Sequence, residues 1–396
     1  MSPDGAEARI AAPPPLRVLA IGMNWLESST GGLDRGYQDL LRALPHVGVE
    51  PIGLVLGPIG VEALSDGRVV AFGRKGATMP ERLWRARAQA GALLRSGRFD
   101  VVAAHFAMFT APALDRMRGR PLVVHFHGPW AGESAAEGAR RLSVLAKRAV
   151  ERTVYQRADR VIVLSHAFAA IARDVYGVPE AKLRLVPGTL DLSRFTATAG
   201  VSRVEARERL GWPQDRRILL SVRRLAHRMG LDGLITAMTA VVRAEPDTLL
   251  MIGGRGHAAE ALHARVKALG LGRYVRFLGF VRDEDLPFAY RAAEVNVVPS
   301  VALEGFGLTT VEALASGTPS LVTPVGGLPE VVSPLSPDLV FASPAPGDMA
   351  DRLIAALRGA VTLPDEAACR RYAADRYDAL HSASCVAAVY REAARA

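Results

Sequence analysis

Short unbroken runs of Val, Ile and Leu alternate along the chain with longer stretches whose apolar residues recur every three or four positions. In the first half the runs are LRVLAIG 16–22, FDVVAA 99–104, PLVVHFH 121–127, RVIVLS 160–165 and LRLVP 183–187. A strand buried on both faces reads as such a continuous run rather than as an alternation. Amphipathic stretches of helix length lie between them at 33–44, 81–95, 139–157 and 166–175. Strand and helix in turn predict a parallel, doubly wound sheet.

The series then restarts with RRILLSV 216–222, TLLMIG 248–253, YVRFL 274–278, VNVVP 295–299, PSLVT 319–323 and LVFA 339–342. Between the two sets lies PGTLDLSRFTATAG 187–200, whose turn formers suit an interdomain linker. A length of 396 residues also suits two domains better than one core. Ligands of such sheets bind beyond the carboxyl ends of the strands, so two facing sheets predict a central cleft.

One segment at such a strand end carries chemistry. LEGFGLTTVEALASG 303–317 places Glu304 on the loop after VNVVP and Glu312 inside the helix that follows. Gly305 and Gly307 allow a close backbone approach to a ligand, and Thr309 or Thr310 is expected to cap the helix. Free N–H groups near Gly307, Leu308 and Thr309 make an anion site at its start. Glu312, one turn further in, would repel a phosphate but accept two hydrogen bonds from a ribose diol. A loop charge and a helix-dipole partner explain the two glutamates equally well on spacing alone.

The context decides between these. E-G-F-G-x-x-x-x-E over 304–312, followed by EALASGTPSLVTPVGGLPEVV 312–332, resembles the retaining glycosyltransferases of family four, the glycosyl transferases group 1. The likeness is most specific over 216–332 and runs more loosely from 16 to the end. It implies the α/β GT-B fold, two doubly wound parallel-sheet (Rossmann-like) domains facing across a cleft. The expected domains are 1–196 on the acceptor side and 197–370 for the nucleotide sugar, with a helix over 371–396 returning to the first. The resemblance also implies that Glu304 contacts the transferred sugar and Glu312 the ribose, with Gly305, Phe306, Gly307, Leu308 and Thr309 around the donor. The family needs no metal.

SVRRLAHRMG 221–230 resembles the family's R-L-x-x-x-K-G, whose cations neutralise the diphosphate leaving group. Guanidinium forks suit that bidentate task. Arg224 matches the arginine, but the lysine position is Met229, and Arg228 beside it is the expected replacement. Gly31 and Gly32, after the first strand, match the family's N-terminal glycine loop. In VVHFHGPW 123–130, His125 and His127 share one strand face. No third ligand follows in the sequence, which argues against zinc. The HG pair resembles the family histidine that bonds the donor sugar, so His127 is the functional candidate, with His125 and His105 structural. GGRGHAA 253–259 contains G-x-G-x-x-A but lacks the acidic residue a dinucleotide site needs. By resemblance, the backbone of Phe280 and Val281 lies at the nucleobase.

Composition narrows the partners. The net charge of +9 is concentrated in residues 1–196, where 26 Lys and Arg face 18 Asp and Glu; the remainder has 23 against 22. An anionic partner is implied, but no zinc-finger spacing or RNA-binding aromatic signature points to nucleic acid. Arg141, Arg148 and Arg152 share a face of the 139–157 helix, and peripheral contact with an anionic membrane is expected there. MSPDGAEARIAAPPP 1–15 has no signal-peptide pattern, and only Cys369 and Cys385 are present, so a reducing, cytoplasmic setting is expected, at the inner face of the membrane.

The expected activity is retaining transfer from a nucleoside-diphosphate sugar, UDP before GDP, to a hydroxyl of a glycan, lipid-linked or small-molecule acceptor. Neither a cofactor nor a metal is expected. The competing classes are a sugar-nucleotide epimerase of similar layout and a nucleic-acid-binding or scaffold protein.

Overall fold

The computed structural model describes residues 14–25, 32–58, 60–74 and 76–395. Seven strands form the first sheet: β1 Leu16–Asn24, β2 Val49–Leu56, β3 Val69–Gly73, β4 Val101–Ala104, β5 Leu122–Phe126, β6 Arg160–Val163 and β7 Leu183–Leu185. Their order is β3-β2-β1-β4-β5-β6-β7. The second sheet has β8 Arg217–Val222, β9 Thr248–Gly253, β10 Val275–Gly279, β11 Val295–Val298 and β12 Ser320–Val322, ordered β10-β9-β8-β11-β12. Neighbouring strands are parallel in both. Every residue of β4, β5, β9 and β11 is buried, which is why these strands read as unbroken apolar runs.

The apolar pattern does not single out β2 and β3. Pro51 and Gly53 interrupt β2, and proline ordinarily argues against a central strand. Pairing with β3 begins only at Gly53, so Pro51 lies before the stretch flanked on both sides. Conversely, LVFA 339–342 makes no strand but a single bridge from Val340 to Val322. The 3-10 turn Pro337–Leu339 precedes it and Pro344 follows, leaving too few residues to extend a ladder.

The helix Glu366–Tyr377 stays with the second sheet, burying Cys369, Ala373 and Tyr377 beside Leu314 and Leu328. The chain crosses back at Asp378, later than residue 371. The helix Ala379–Ala394 then buries Val386 and Tyr390 in a core with Val18, Val101 and Ile162 of the first sheet. Its far end is tied by Glu392, which accepts from Arg160 at 2.8 Å and Arg184 at 2.9 Å. Among the described residues no helix is long and apolar enough to cross a membrane.

Strand order reverses between β1 and β4 in one sheet and between β8 and β11 in the other. Crevices open at such switch points because adjacent crossovers leave on opposite faces. The two crevices share one cavity of about 890 Å³, lined from both sheets.

Candidate active site

The second sheet supplies the charged wall of the cavity. β8 ends at Val222, so Arg223 and Arg224 emerge at its carboxyl edge, and Arg228 follows in the 3-10 turn His227–Met229. All three line the cavity, as do Met229 and Glu304. Glu304 follows β11 through a loop in which Leu303 takes the left-handed conformation at φ 51°. Its carboxylate accepts from the Arg223 guanidinium and from the Ser300 hydroxyl at 2.9 Å. Arg223 is buried, approaches the Met229 sulfur at 3.3 Å, and keeps one terminal nitrogen, Nη1, without a partner. A buried N–H without a partner carries a desolvation cost of about 1–3 kcal/mol, so a ligand acceptor at that point would be bound favourably.

Arg224 is exposed and Arg228 is buried. Arg228 is turned toward the first sheet, with Nη2 at 3.3 Å from Glu133 and Nη1 donating to the Leu303 carbonyl at 3.3 Å. Glu137 accepts from the backbone N–H groups of His227 and Arg228, both at 3.3 Å, and pairs with His257 at 2.9 Å. Burial pushes the Glu137 carboxyl up, but these donors overbalance it and hold it below its usual value. Glu133 goes the other way: burial raises it, and Arg228 and Arg224 only partly compensate.

The helix Leu308–Ala315 begins at Gly307, with φ 78° and no side-chain cap, so neither threonine caps it. Thr309 lines the cavity, while the Thr310 hydroxyl is buried without a partner. Glu312 is buried one turn in; it accepts from the Tyr290 hydroxyl at 2.8 Å and lies 3.5 Å from Arg35. Arg35 belongs to the helix Gly32–Ala43 of the first unit and also pairs with Asp283 at 2.6 Å. Gly32 lines the cavity beside Leu308; Gly31 lies outside the described residues.

Two glycines meet close neighbours. A Cβ on Gly305 would overlap the Phe168 ring of the first unit, so this glycine permits the two units to meet. In the GGRG turn, a Cβ on Gly256 would overlap the Leu225 carbonyl, so the turn packs under the arginine loop. Phe306 is buried, its ring edge-on to Tyr377, so its side chain belongs to the core. Phe280 and Val281 line the cavity, with Arg255 above the Phe280 ring at 5.6 Å.

The first sheet supplies a different wall. His105 follows β4 and stacks on His125 with ring centroids 3.9 Å apart; its Nδ1 lies 3.1 Å from His127 Nε2. His125 bonds the Tyr390 hydroxyl at 2.7 Å. Burial and mutual proximity push His105 and His125 well below the ordinary histidine range, and burial brings His127 down to about 4. His105 is therefore the third histidine that the sequence did not reveal, since ring nitrogens of all three lie within 4.8 Å of one another. The rings are inclined by only 16–23°. A nitrogen lone pair lies in its ring plane, so near-parallel rings do not aim at one point as a tetrahedral ligand set would. The sequence did not single out Arg35, Arg223 or Glu133, and it gave His105 only a structural place. Only the doubled arginine beside a missing lysine gave a signal.

Comparison with known proteins follows these two halves. A family model described as glycosyl transferases group 1 matches residues 202–376, and one described as glycosyltransferase family 4 matches residues 30–194. A mannosylfructose-phosphate synthase of Agrobacterium fabrum is 35% identical over 191 residues, which is 46% of this chain and 41% of that protein. The chain spans 41–61% of the lengths of the first curated relatives it matches. Among solved structures, sucrose-phosphate synthase from Thermosynechococcus elongatus superposes with a TM-score of 0.77 at 22% identity, covering 95% of this chain and 98% of that one. Anabaena HepE in complex with UDP-glucose gives 0.74 at 19% identity, covering 96% and 98%. At these identities the superpositions establish the fold.

Proposed function

Since this chain belongs to the family 4, group 1 glycosyltransferases, we propose that it moves a sugar, with retention, from a nucleoside-diphosphate sugar to an acceptor hydroxyl in the cleft. The observation that carries this reading is the convergence of Glu304, Glu312 and three arginines on one cavity at the carboxyl ends of β8 and β11. Glu312, preset by Tyr290, takes the ribose hydroxyls. Glu304 and His127 hold the sugar, and Gly32, Leu308 and Thr309 lie where backbone meets diphosphate. Phe280 and Val281 flank the base. UDP is the favoured nucleotide, in keeping with the UDP-glucose that HepE holds in its complex.

In the transfer the bond from the anomeric carbon to the diphosphate oxygen breaks and its electron pair leaves on the diphosphate, while the acceptor oxygen bonds that carbon on the same face and its proton passes to the departing diphosphate. Charge develops there, and preorganised guanidinium groups stabilise it more than they stabilise the bound donor. Arg224 and Arg223 face this task. Arg228 joins them once the diphosphate competes for it with Glu133. No side chain is assigned as nucleophile. The acceptor enters from the first sheet, and neither epimerisation nor nucleic-acid binding finds support in the matched families. The exposed Arg141, Arg148 and Arg152 serve peripheral contact with an anionic membrane.

A thermal-shift series with UDP, GDP and ADP, followed by assay of UDP release from UDP-sugars in EDTA, tests this reading. UDP should stabilise the chain most, since a ligand of the native state raises its apparent stability. Turnover should survive chelation. Absence of any nucleotide shift, or turnover that returns only with magnesium or manganese, would overturn it.

A further inference from the structure

The wall opposite the arginines is short of cations and rich in aromatic surface. Trp130 and Phe106 line the cavity with ring centroids 5.4 Å apart at 62°. Trp130 opens the helix Trp130–Ala136, whose first N–H groups, of Trp130 and Ala131, donate to buried Glu151 at 2.7 and 3.0 Å. Glu151 also accepts from Tyr176 at 2.8 Å and Tyr155 at 3.2 Å, so it is spent on holding this helix. The helix in turn presents Glu133 to the cavity. Among the described residues of this wall the one lining cation is Arg35, already engaged by Glu312 and Asp283, and the Arg228 that reaches it from the other sheet is already paired with Glu133 at 3.3 Å. Lys147 lies over the Trp130 ring at 4.7 Å and donates to Ser134 at 2.6 Å.

We propose that this wall is an acceptor subsite for an uncharged sugar or polyol, its ring face against Trp130 and Phe106 and a hydroxyl on Glu133, and that it disfavours phosphorylated acceptors. This rests on the transfer reading above. An aromatic face suits the apolar face of a sugar ring while leaving the hydroxyls to polar groups. A phosphate dianion instead needs paired cationic donors, and Glu133 would repel it. The histidines do not substitute for such donors, because His105, His125 and His127 are all held neutral by burial. The subsite thus departs from what the name mannosylfructose-phosphate synthase conveys for the relative.

The test measures UDP release from UDP-glucose, or from whichever UDP-sugar the chain hydrolyses fastest, with two sets of probes. Methyl glucoside, p-nitrophenyl glucoside and myo-inositol form the neutral set; glucose 6-phosphate and myo-inositol phosphate form the charged set. At least one neutral probe should raise UDP release tenfold or more, and neither phosphate should raise it twofold. Trp130→Ala should raise the KM for the effective neutral probe at least fivefold with UDP affinity by calorimetry unchanged, and Trp130→Phe should restore it. A phosphorylated probe that matches its neutral counterpart overturns the assignment. So does a chain that releases UDP without acceptor yet answers to no neutral probe, an outcome that spares the donor reading. Failure to bind UDP at all would sink the donor reading, and the subsite with it.

Discussion

Arg35 and Glu312 come from opposite units, yet the guanidinium lies 3.5 Å from the carboxylate across the cleft. The carboxylate assigned to the ribose is therefore already held on two sides, by Arg35 and by Tyr290. A ligand that engages it meets an acceptor already fixed in place, and so loses less rotamer entropy.

This arrangement makes Glu312→Gln more informative than Glu312→Ala. Alanine strips the buried Tyr290 hydroxyl of its partner and should lower stability by about 1–3 kcal/mol as well as affinity. Glutamine keeps a bond to Tyr290 and removes only the charge. UDP affinity should then fall by roughly 1–1.5 kcal/mol, the difference between a charged and a neutral hydrogen bond. Calorimetry showing equal UDP affinity in wild type and Glu312→Gln would remove the ribose assignment.

Arg223 and Arg228 compete for the proposed role of the missing lysine at Met229, and their contacts differ. Arg223 touches the Met229 sulfur and has a nitrogen to spare, whereas Arg228 is paired with Glu133. Arg223→Ala should lower kcat by roughly 100-fold or more, the scale of losing one donor to a developing anion. Adding Met229→Lys should recover at least part of it. A larger kcat loss in Arg228→Ala than in Arg223→Ala would return the role to Arg228.

Glu137 places a carboxylate on the amides of His227 and Arg228, where a diphosphate oxygen would also be welcome. Glu137→Gln removes that competing charge. It should tighten UDP several-fold and leave uridine, which has no diphosphate, unchanged. Equal gains for both ligands would show that the effect is not on the diphosphate.

The layered fold was legible because buried parallel strands leave continuous apolar runs, and the EGFG helix because glycine, glutamate and strand end recur in a fixed order. β2 was hidden by Pro51, whose unpaired flank no single sequence exposes. The partners of Arg35 were hidden because they depend on which units face one another, a relation spanning 277 residues for Arg35 and Glu312, and the Arg223–Glu304 pair because it depends on which strand ends lie side by side in the second sheet. The His105 contact was lost in the same way. A histidine after VVAA gives no sign that it stacks on one 20 residues away.

That stack has a pH signature. His105, His125 and His127 titrate near 6.5 when unfolded but well lower when folded, His127 at about 4. Between those values the unfolded chain binds more protons than the native one, so stability rises with pH and is lost on acidification. Each histidine contributes a slope of up to about 1.4 kcal/mol per pH unit in that window. Tm should therefore drop from pH 7 to pH 5, and less steeply in His105→Gln. A Tm independent of pH over this range would mean that the rings are not held neutral.

The last prediction concerns the helix Arg141–Arg157. Leu142 is 81% and Leu145 59% exposed, and Arg141, Arg148 and Arg152 are exposed on the same helix. Exposed leucines beside arginines are the composition of a helix that rests on an anionic bilayer, its apolar residues in the acyl boundary and its cations among the headgroups. Each cation contributes about 1 kcal/mol near such a surface. The chain should therefore sediment with phosphatidylglycerol vesicles at low salt and not with phosphatidylcholine vesicles. Reversing the three arginines to glutamate should reduce the bound fraction at least tenfold, and Leu142→Ser with Leu145→Ser should reduce it further at high salt, where charge is screened. UDP affinity should not change in either variant, because the proposed nucleotide site lies chiefly on the other sheet. If the wild-type chain never sediments at low salt, the arginines are a solvated face and the acceptor reaches the cleft from solution.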